Sequence, residues 1–363
     1  MVGTGYYGNM AIAEETLEHA RARGVEILAA RTPDAVAEFN RLRSDPKKKV
    51  VSALPPDLLT GRANGKSDGR DTRMNRRTPL AAGLALMALA LGQPPAAAAE
   101  ELPIFDTHMH YSREAWGAYG PGRIMDTLDA AGVARALVSS TPDEGTLMLY
   151  RHDKDRVVPI LRPYHGDVSS GNWSRDPGVP AYIEERLRRG IYRGIGEFHL
   201  FDEGDARSAP VRGVVALAVA RDIVLHVHAG AGPVRALFAI DAKVKVLWAH
   251  AGMNTPPEVV GELLDRFPGL SAEVAFRAAD IAPGSLLDGA WRALFLRHPD
   301  RFMIGTDTYL TGRWDTYGGL VEEHRRWLAQ LPGAVARAIA YGNAVARFGA
   351  GGGLTGTPAA TPR

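Results

Sequence analysis

The sequence predicts an α/β protein whose main body, residues 100–350, is a (β/α)8 TIM-like barrel. Three observations carry that prediction. From Leu102 onward, short apolar runs rich in β-branched residues alternate with helix-length segments, as parallel strands joined by crossover helices require. Eight such runs fall within ~250 residues, the usual size of this barrel. The runs end in histidines and carboxylates, at the strand ends where such barrels carry their reactive groups.

In chain order the strand candidates are PIFDTH, ARALVSS, RVVPILRP, YRGIGEFH, IVLHVHA, KVLWAHA, LSAEVAF and RFMIGTD. Between them, PAYIEERLRRG, APVRGVVALAVARD and PPEVVGELLDRFP read as helices, and the segment from about Leu320 to Phe348 as a long helical stretch.

Composition narrows the function. The chain has 363 residues, 45% of them hydrophobic, enough to bury a full core. Its 43 basic and 41 acidic side chains nearly cancel, so no global field points to nucleic acid or an anionic membrane. A small molecule is therefore the expected partner, and the oligomeric state is left open. With no cysteine, disulfides, thiolate metal sites and cysteine nucleophiles are excluded.

The strand ends supply the donors that remain. Strand one ends in His108 and His110, whose side chains share one side of an extended chain. Strand four ends in Glu197, strand five in His228, strand six in His250 and strand eight in Asp307. Several unpaired imidazoles and carboxylates inside a barrel would each cost several kcal/mol in desolvation, on the order seen for buried polar groups. A bound cation removes that cost. Four histidines and two carboxylates suit one or two divalent metal ions, with Zn²⁺ the first choice and Mn²⁺, Fe²⁺ or Ni²⁺ open. His226, two residues before His228, shares its face one layer deeper and reads as a hydrogen-bonded core residue. His199, two beyond Glu197, is a candidate for contact with substrate.

FDTHMH, GIGEFHL, VLHVHAG, VLWAHAG and FMIGTDTY resemble the strand-end motifs of the amidohydrolase superfamily, and GNAVARFG resembles the last helix of its amidohydrolase-related branch. GIGE is nearer to the TatD-like and phosphotriesterase-like branches, where an acid or carboxylated lysine on strand four bridges two metals. The resemblance covers about residues 102–350. It implies that His108, His110 and Asp307 hold a first metal, that His228 and His250 hold a second, and that Glu197 bridges them. It also implies a metal-activated water attacking a carbonyl or phosphoryl centre, with Asp307 accepting its proton and passing it to the leaving group. A one-metal arrangement stays open, in which His108, His110, His228 and Asp307 are ligands and His250 is an acid or base.

Substrate choice in such barrels lies in the loops after the strands. Here those loops carry Arg162, Arg277 and Arg313 beside several aromatic residues, and arginine forks suit carboxylates or phosphates. The substrate expected is small and anionic. The leading function is a metal-dependent hydrolase. A metal-dependent decarboxylase of the amidohydrolase-related type is the alternative, disfavoured by Glu197. A non-catalytic assembly protein is the alternative from another class.

The chain before the barrel is of another kind. Residues 1–60 read as a partial small α+β segment with a strand at Val25 to Ala29. They resemble the second half of a domain family of unknown function related to a mitochondrial complex I assembly factor. Residues 61–73, GRANGKSDGRDTR, form a polar linker. Residues 74–99, MNRRTPLAAGLALMALALGQPPAAAA, have the basic start, the apolar run and the small residues of an export signal. That apolar run, about a dozen residues, is shorter than the ~20 of a membrane span. Translation from Met74 would place the enzyme in the periplasm or outside the cell, and the full chain would leave it cytoplasmic. Residues 351–363 are Gly/Thr/Pro-rich and expected to be disordered.

Overall fold

A computed structural model describes residues 2–3, 29–30 and 102–349. The linker, the signal-like stretch, the C-terminal tail and most of the N-terminal α+β segment lie outside the described residues. The chain divides into two units, Met1–Leu91 and Gly92–Arg363. In the first, Val2–Gly3 pairs in parallel with Ala29–Ala30. Among the described residues, no helix is long and apolar enough to cross a membrane.

The second unit carries the alternating pattern. Its strands are β1 (Ile104–Met109), β2 (Val133–Val138), β3 (Val157–Pro159), β4 (Gly194–Leu200), β5 (Val224–Ala229), β6 (Lys245–Trp248), β7 (Leu270–Glu273) and β8 (Phe302–Met303). All neighbours pair in parallel, in one sheet of order β1-β2-β3 and another of order β8-β7-β6-β5-β4. Single parallel bridges link the sheets at both margins, Asp106 to Ile304 and Leu161 to Ile195. The arrangement fits a TIM-barrel-like fold.

Helices follow the strands. They are α1 (Pro121–Ala130), α2 (Glu144–His152), α3 (Val179–Leu187), α4 (Glu203–Ala206), α5 (Ala209–Ala220), α6 (Ala231–Ile240), α7 (Pro257–Arg266), α8 (Ala278–Ile281), α9 (Gly289–Arg297), α10 (Tyr317–Leu328), α11 (Gly333–Arg337) and α12 (Asn343–Phe348). Their starts have local causes. Proline occupies the first turn of α1, α3, α5 and α7, where its missing N–H costs nothing. Ser208 and Asp288 cap α5 and α9 by accepting main-chain N–H bonds. The long helical stretch expected from Leu320 to Phe348 is instead three helices. Pro332, which cannot donate to a helical ladder, stands before α11, and a π turn at Ala338–Gly342 separates α11 from α12.

Two apolar layers hold the unit together. The larger lies between strands and helices and includes Ile124, Leu149, Ile183, Val214, Leu263 and Trp327. The smaller takes Phe105, Leu137, Val158, Val224, Leu247 and Met303 from six strands and joins them to Phe348 of α12. Burying each such side chain contributes about 1.5–3 kcal/mol. Along β5 the face that starts with Val224 continues with His226 and then His228, because side chains alternate. The polar site therefore stands on an apolar floor, toward the C-terminal ends of the strands.

Candidate metal centre

Two strands depart from regular pairing where they supply donors. Between Asp106 and Met109, β1 has one residue more than β2, and between Gly196 and Phe198, β4 has Glu197 as an extra residue against β5. Such bulges bend a strand and re-aim side chains. Gly196 makes the second possible: its φ is +131°, and a Cβ there would stand 2.1 Å from the carbonyl oxygen of His226. Two further donor strands end early. β6 stops at Trp248 and β8 at Met303, so His250 (φ 56°) and Asp307 (φ 53°) sit just beyond them in the left-handed region. Non-glycine residues adopt that conformation rarely, and mostly where the surroundings impose it.

The imidazoles converge with their lone pairs inward. His108 Nδ1 donates to Glu273 Oε1 at 2.9 Å, His110 Nδ1 to the Ser139 carbonyl at 2.6 Å, and His250 Nδ1 to the Ala275 carbonyl at 3.2 Å. Each bond selects the tautomer that leaves Nε2 as an acceptor. His108 Nε2 and His110 Nε2 are 3.0 Å apart, and Glu197 Oε2 is 3.4 and 3.1 Å from them. Asp307 Oδ1 is 3.6 and 3.3 Å from the same two nitrogens and makes no hydrogen bond although it is buried. Beside this group, His228 Nδ1 lies 2.9 Å from Glu197 Oε1 and 3.2 Å from His250 Nε2. His250 Nε2 is 3.7 Å from Glu197 Oε1 and also 3.7 Å from Asp307 Oδ2.

These separations fit a divalent metal. Four ligands at about 2.0–2.1 Å in a tetrahedron stand about 3.3 Å from one another, inside the range seen here. Acceptor nitrogens facing each other and a buried carboxylate oxygen without a donor are otherwise costly. His108, His110, Glu197 and Asp307 form one such donor set. His228, His250 and the second oxygens of Glu197 and Asp307 form another next to it.

The electrostatics agree. Burial alone would raise the pKa of Glu197, Asp307 and Glu273, yet the facing imidazoles, His108 foremost, hold all three below the usual carboxylate range. Burial opposes a charge on His108 and His250. Even so, both are shifted upward, His108 mainly by Asp307, Glu197 and Glu273 and His250 mainly by Glu197 and Glu273. A pocket that draws protons onto buried imidazoles in this way attracts a cation for the same reason.

The expected substrate residues fall in different places. Arg162 donates from Nη2 to Glu197 Oε2 at 3.2 Å and from Nε to the Glu197 carbonyl at 3.0 Å. His199 stacks on His228 at 4.3 Å and faces the Tyr164 hydroxyl at 2.8 Å, and burial lowers its pKa to about 3. Arg313 donates to the Thr306 carbonyl and lies over the ring of Phe276. Arg277 is buried and bonds to the carbonyls of His250, Ala251 and Thr255 and to Asp280. It faces the main chain of the site rather than open loop space.

His226 corrects the expectation of a hydrogen-bonded core residue. Its two ring nitrogens have no hydrogen-bond partner, because the ring packs against His108 and the nearest carboxylate oxygen, of Glu273, is 3.9 Å away. Burial lowers its pKa to about 4. Sequence reasoning also passed over Asp106 and Glu273. Asp106 accepts bonds from Thr306, Tyr317 and the His108 N–H, tying β1 to the Asp307 segment. The available signal was an acid within FDTHMH and another ending the apolar run LSAE.

Three solved structures show what the chain is similar to. A zinc-bound amidohydrolase from Burkholderia multivorans is 17% identical with a TM-score of 0.46, and a probable 2-pyrone-4,6-dicarboxylic acid hydrolase from Acinetobacter baumannii is 13% identical with a TM-score of 0.49. Amidohydrolase 2 from Bifidobacterium longum subsp. infantis is 16% identical with a TM-score of 0.44. Each match covers 68% of this chain and 98% of the other. No curated protein matches the chain. The sequence model of the amidohydrolase family matches residues 105–350, which span β1 to β8, apart from the first residue of β1, and every donor described above, and the chain belongs to that family of enzymes.

Proposed function

We propose that the chain is a metal-dependent hydrolase with a closed (β/α)8 barrel, acting on a carbonyl or phosphoryl centre of a small molecule. One observation carries the reading: the acceptor nitrogens of His108, His110 and His250 converge with Glu197 and with the undonated Oδ1 of Asp307. His108, His110 and Asp307 would hold one Zn²⁺, His228 and His250 a second, with one Glu197 oxygen toward each. A divalent cation supplies Lewis acidity there, acidifying water and polarising the bond under attack.

The chain's own residues do the rest. Asp307, kept ionised by His108 and His110, takes the proton lost by the attacking water as the new bond to oxygen forms. It then gives that proton to the leaving group as the scissile bond breaks. Tyr164 and Glu197 fix the neighbouring His199 and Arg162, which would meet the substrate. With a single metal, His250 would serve as acid or base instead.

Family membership sets the non-catalytic assembly reading aside. Hydrolysis is preferred over decarboxylation because Glu197 lies between the two donor sets. The test is metal analysis after exhaustive dialysis, joined to a screen of esters, lactones, amides and phosphoesters, with Asp307→Asn as control. Turnover that needs metal and incorporates water supports the proposal. Release of CO2 from a carboxylic acid without hydrolysis of any panel member would replace it by the decarboxylase.

A further inference from the structure

β7 supplies no donor to either set, yet its end controls two of them. Glu273 is fully buried, and its Oε1 accepts both the Nδ1–H of His108 at 2.9 Å and the main-chain N–H of His250 at 2.6 Å. Its Oε2 accepts the Ala275 N–H at 2.7 Å, which fixes the carboxylate plane. Glu273 stands on the far side of the His108 ring from the convergent nitrogens, so it acts through that ring.

Four residues on, Arg277 completes the hold. Its Nη1 donates to the carbonyls of His250 and Ala251 at 3.1 and 3.2 Å, its Nη2 to the Thr255 carbonyl at 3.0 Å, and Asp280 and the Trp291 ring anchor it. The segment it grips is unusual: His250, Ala251 and Met253 have φ of 56°, 45° and 54°. Such a turn persists only when its surroundings over-determine it. Here the N–H of His250 is held by an anion and its carbonyl by a cation. Gly305 makes room, since a Cβ there would stand 2.2 Å from Glu273 Oε2 and 2.8 Å from His108 Cβ.

We propose that Glu273 is the positioning residue of the metal centre, orienting the His108 ring and the His250 main chain together, with Arg277 holding the other end of the His250 turn. The inference rests on the metal-dependent reading. Glu273→Gln keeps the shape but turns an amide donor toward N–H groups that need an acceptor. Outer partners of ligand histidines commonly govern metal affinity by about 10–100-fold.

The test is Zn²⁺ competition against a chromophoric chelator and the visible spectrum of the Co²⁺-loaded protein. Glu273→Gln should bind Zn²⁺ about 10–100-fold more weakly and shift the Co²⁺ bands. Ser271→Ala, two residues back on the same strand, should change neither. Should Glu273→Gln fail to fold, Arg277→Lys serves, because a single ammonium cannot span the three carbonyls, and the same two readouts should move in the same direction. Wild-type affinity and an unchanged spectrum in these variants, or an equal loss in Ser271→Ala, would overturn the inference. A wild-type protein that binds neither metal would instead overturn the metal-dependent reading itself.

Discussion

The Nε2 atoms of His108 and His110 lie 3.0 Å apart, each on a ring whose Nδ1–H is already given to an acceptor. Two lone pairs at that distance repel unless a proton or a metal stands between them. Chelator treatment should therefore destabilise the protein measurably. At a free metal concentration 100 times Kd the bound ion contributes about 2.7 kcal/mol, so Tm should fall by roughly 5–10 °C for a unit of this size. Calorimetry with and without chelator checks this, and readdition of Zn²⁺ should restore the transition. An unchanged Tm would leave the facing nitrogens to a shared proton.

Asp307 is the proposed proton carrier. Asp307→Asn keeps an oxygen that can ligate but removes the proton acceptor, so kcat should fall by about 10²–10⁴ with metal content largely kept. Parallel kinetics and metal analysis separate the two effects. A kcat within a few-fold of wild type would exclude Asp307 as the proton carrier.

Gly305 is tightly enclosed. Gly305→Ala should drive a methyl group into Glu273 and His108, costing about 1–3 kcal/mol as overpacking does, and should weaken metal binding as well. Gly117→Ala makes the control, since nothing lies within 4 Å of a Cβ at that position. Urea denaturation of the two variants should differ accordingly.

Acid should unfold the protein in part through His324. The ring is buried between the Gly305 carbonyl, 3.0 Å from Nε2, and the Trp327 indole N–H, 3.2 Å from Nδ1, and burial lowers its pKa to about 4. A histidine whose folded pKa lies below its unfolded value contributes stability that is intact above about pH 6.5 and is lost as the pH falls toward 4. The loss amounts to about 3 kcal/mol at most. His324→Gln should therefore be less stable than wild type at pH 7.5, with the gap narrowing by pH 4.5. Denaturation curves with a constant gap across that range would contradict the assignment.

Much of the site was legible because chemistry and position coincide along the chain. Apolar runs that end in His108, His110, His228, His250 and Asp307 announce both the strand and its polar tip, and the order of the runs sets their order in the sheets. What stayed hidden depends on partners distant in sequence. Glu273 looks like any acid ending a strand until His108, 165 residues away, presents Nδ1 to it. Arg277 reads as a loop cation free for substrate, and only folding shows it bound to the carbonyls of the His250 turn.

The sequence by itself determined the alternating α/β architecture, the absence of thiol chemistry and the candidate donors, since periodicity and residue type are local properties. Tertiary structure alone decided which donor atoms meet. Bulges at Glu197 and before Met109, left-handed turns at His250 and Asp307, and the selection of each imidazole tautomer all arise from close packing between strands. The physical reason is range. A hydrophobic pattern is written in neighbours a few residues apart, whereas a hydrogen bond or a ligand contact is fixed to tenths of an ångström by chain segments that only the tertiary fold brings together.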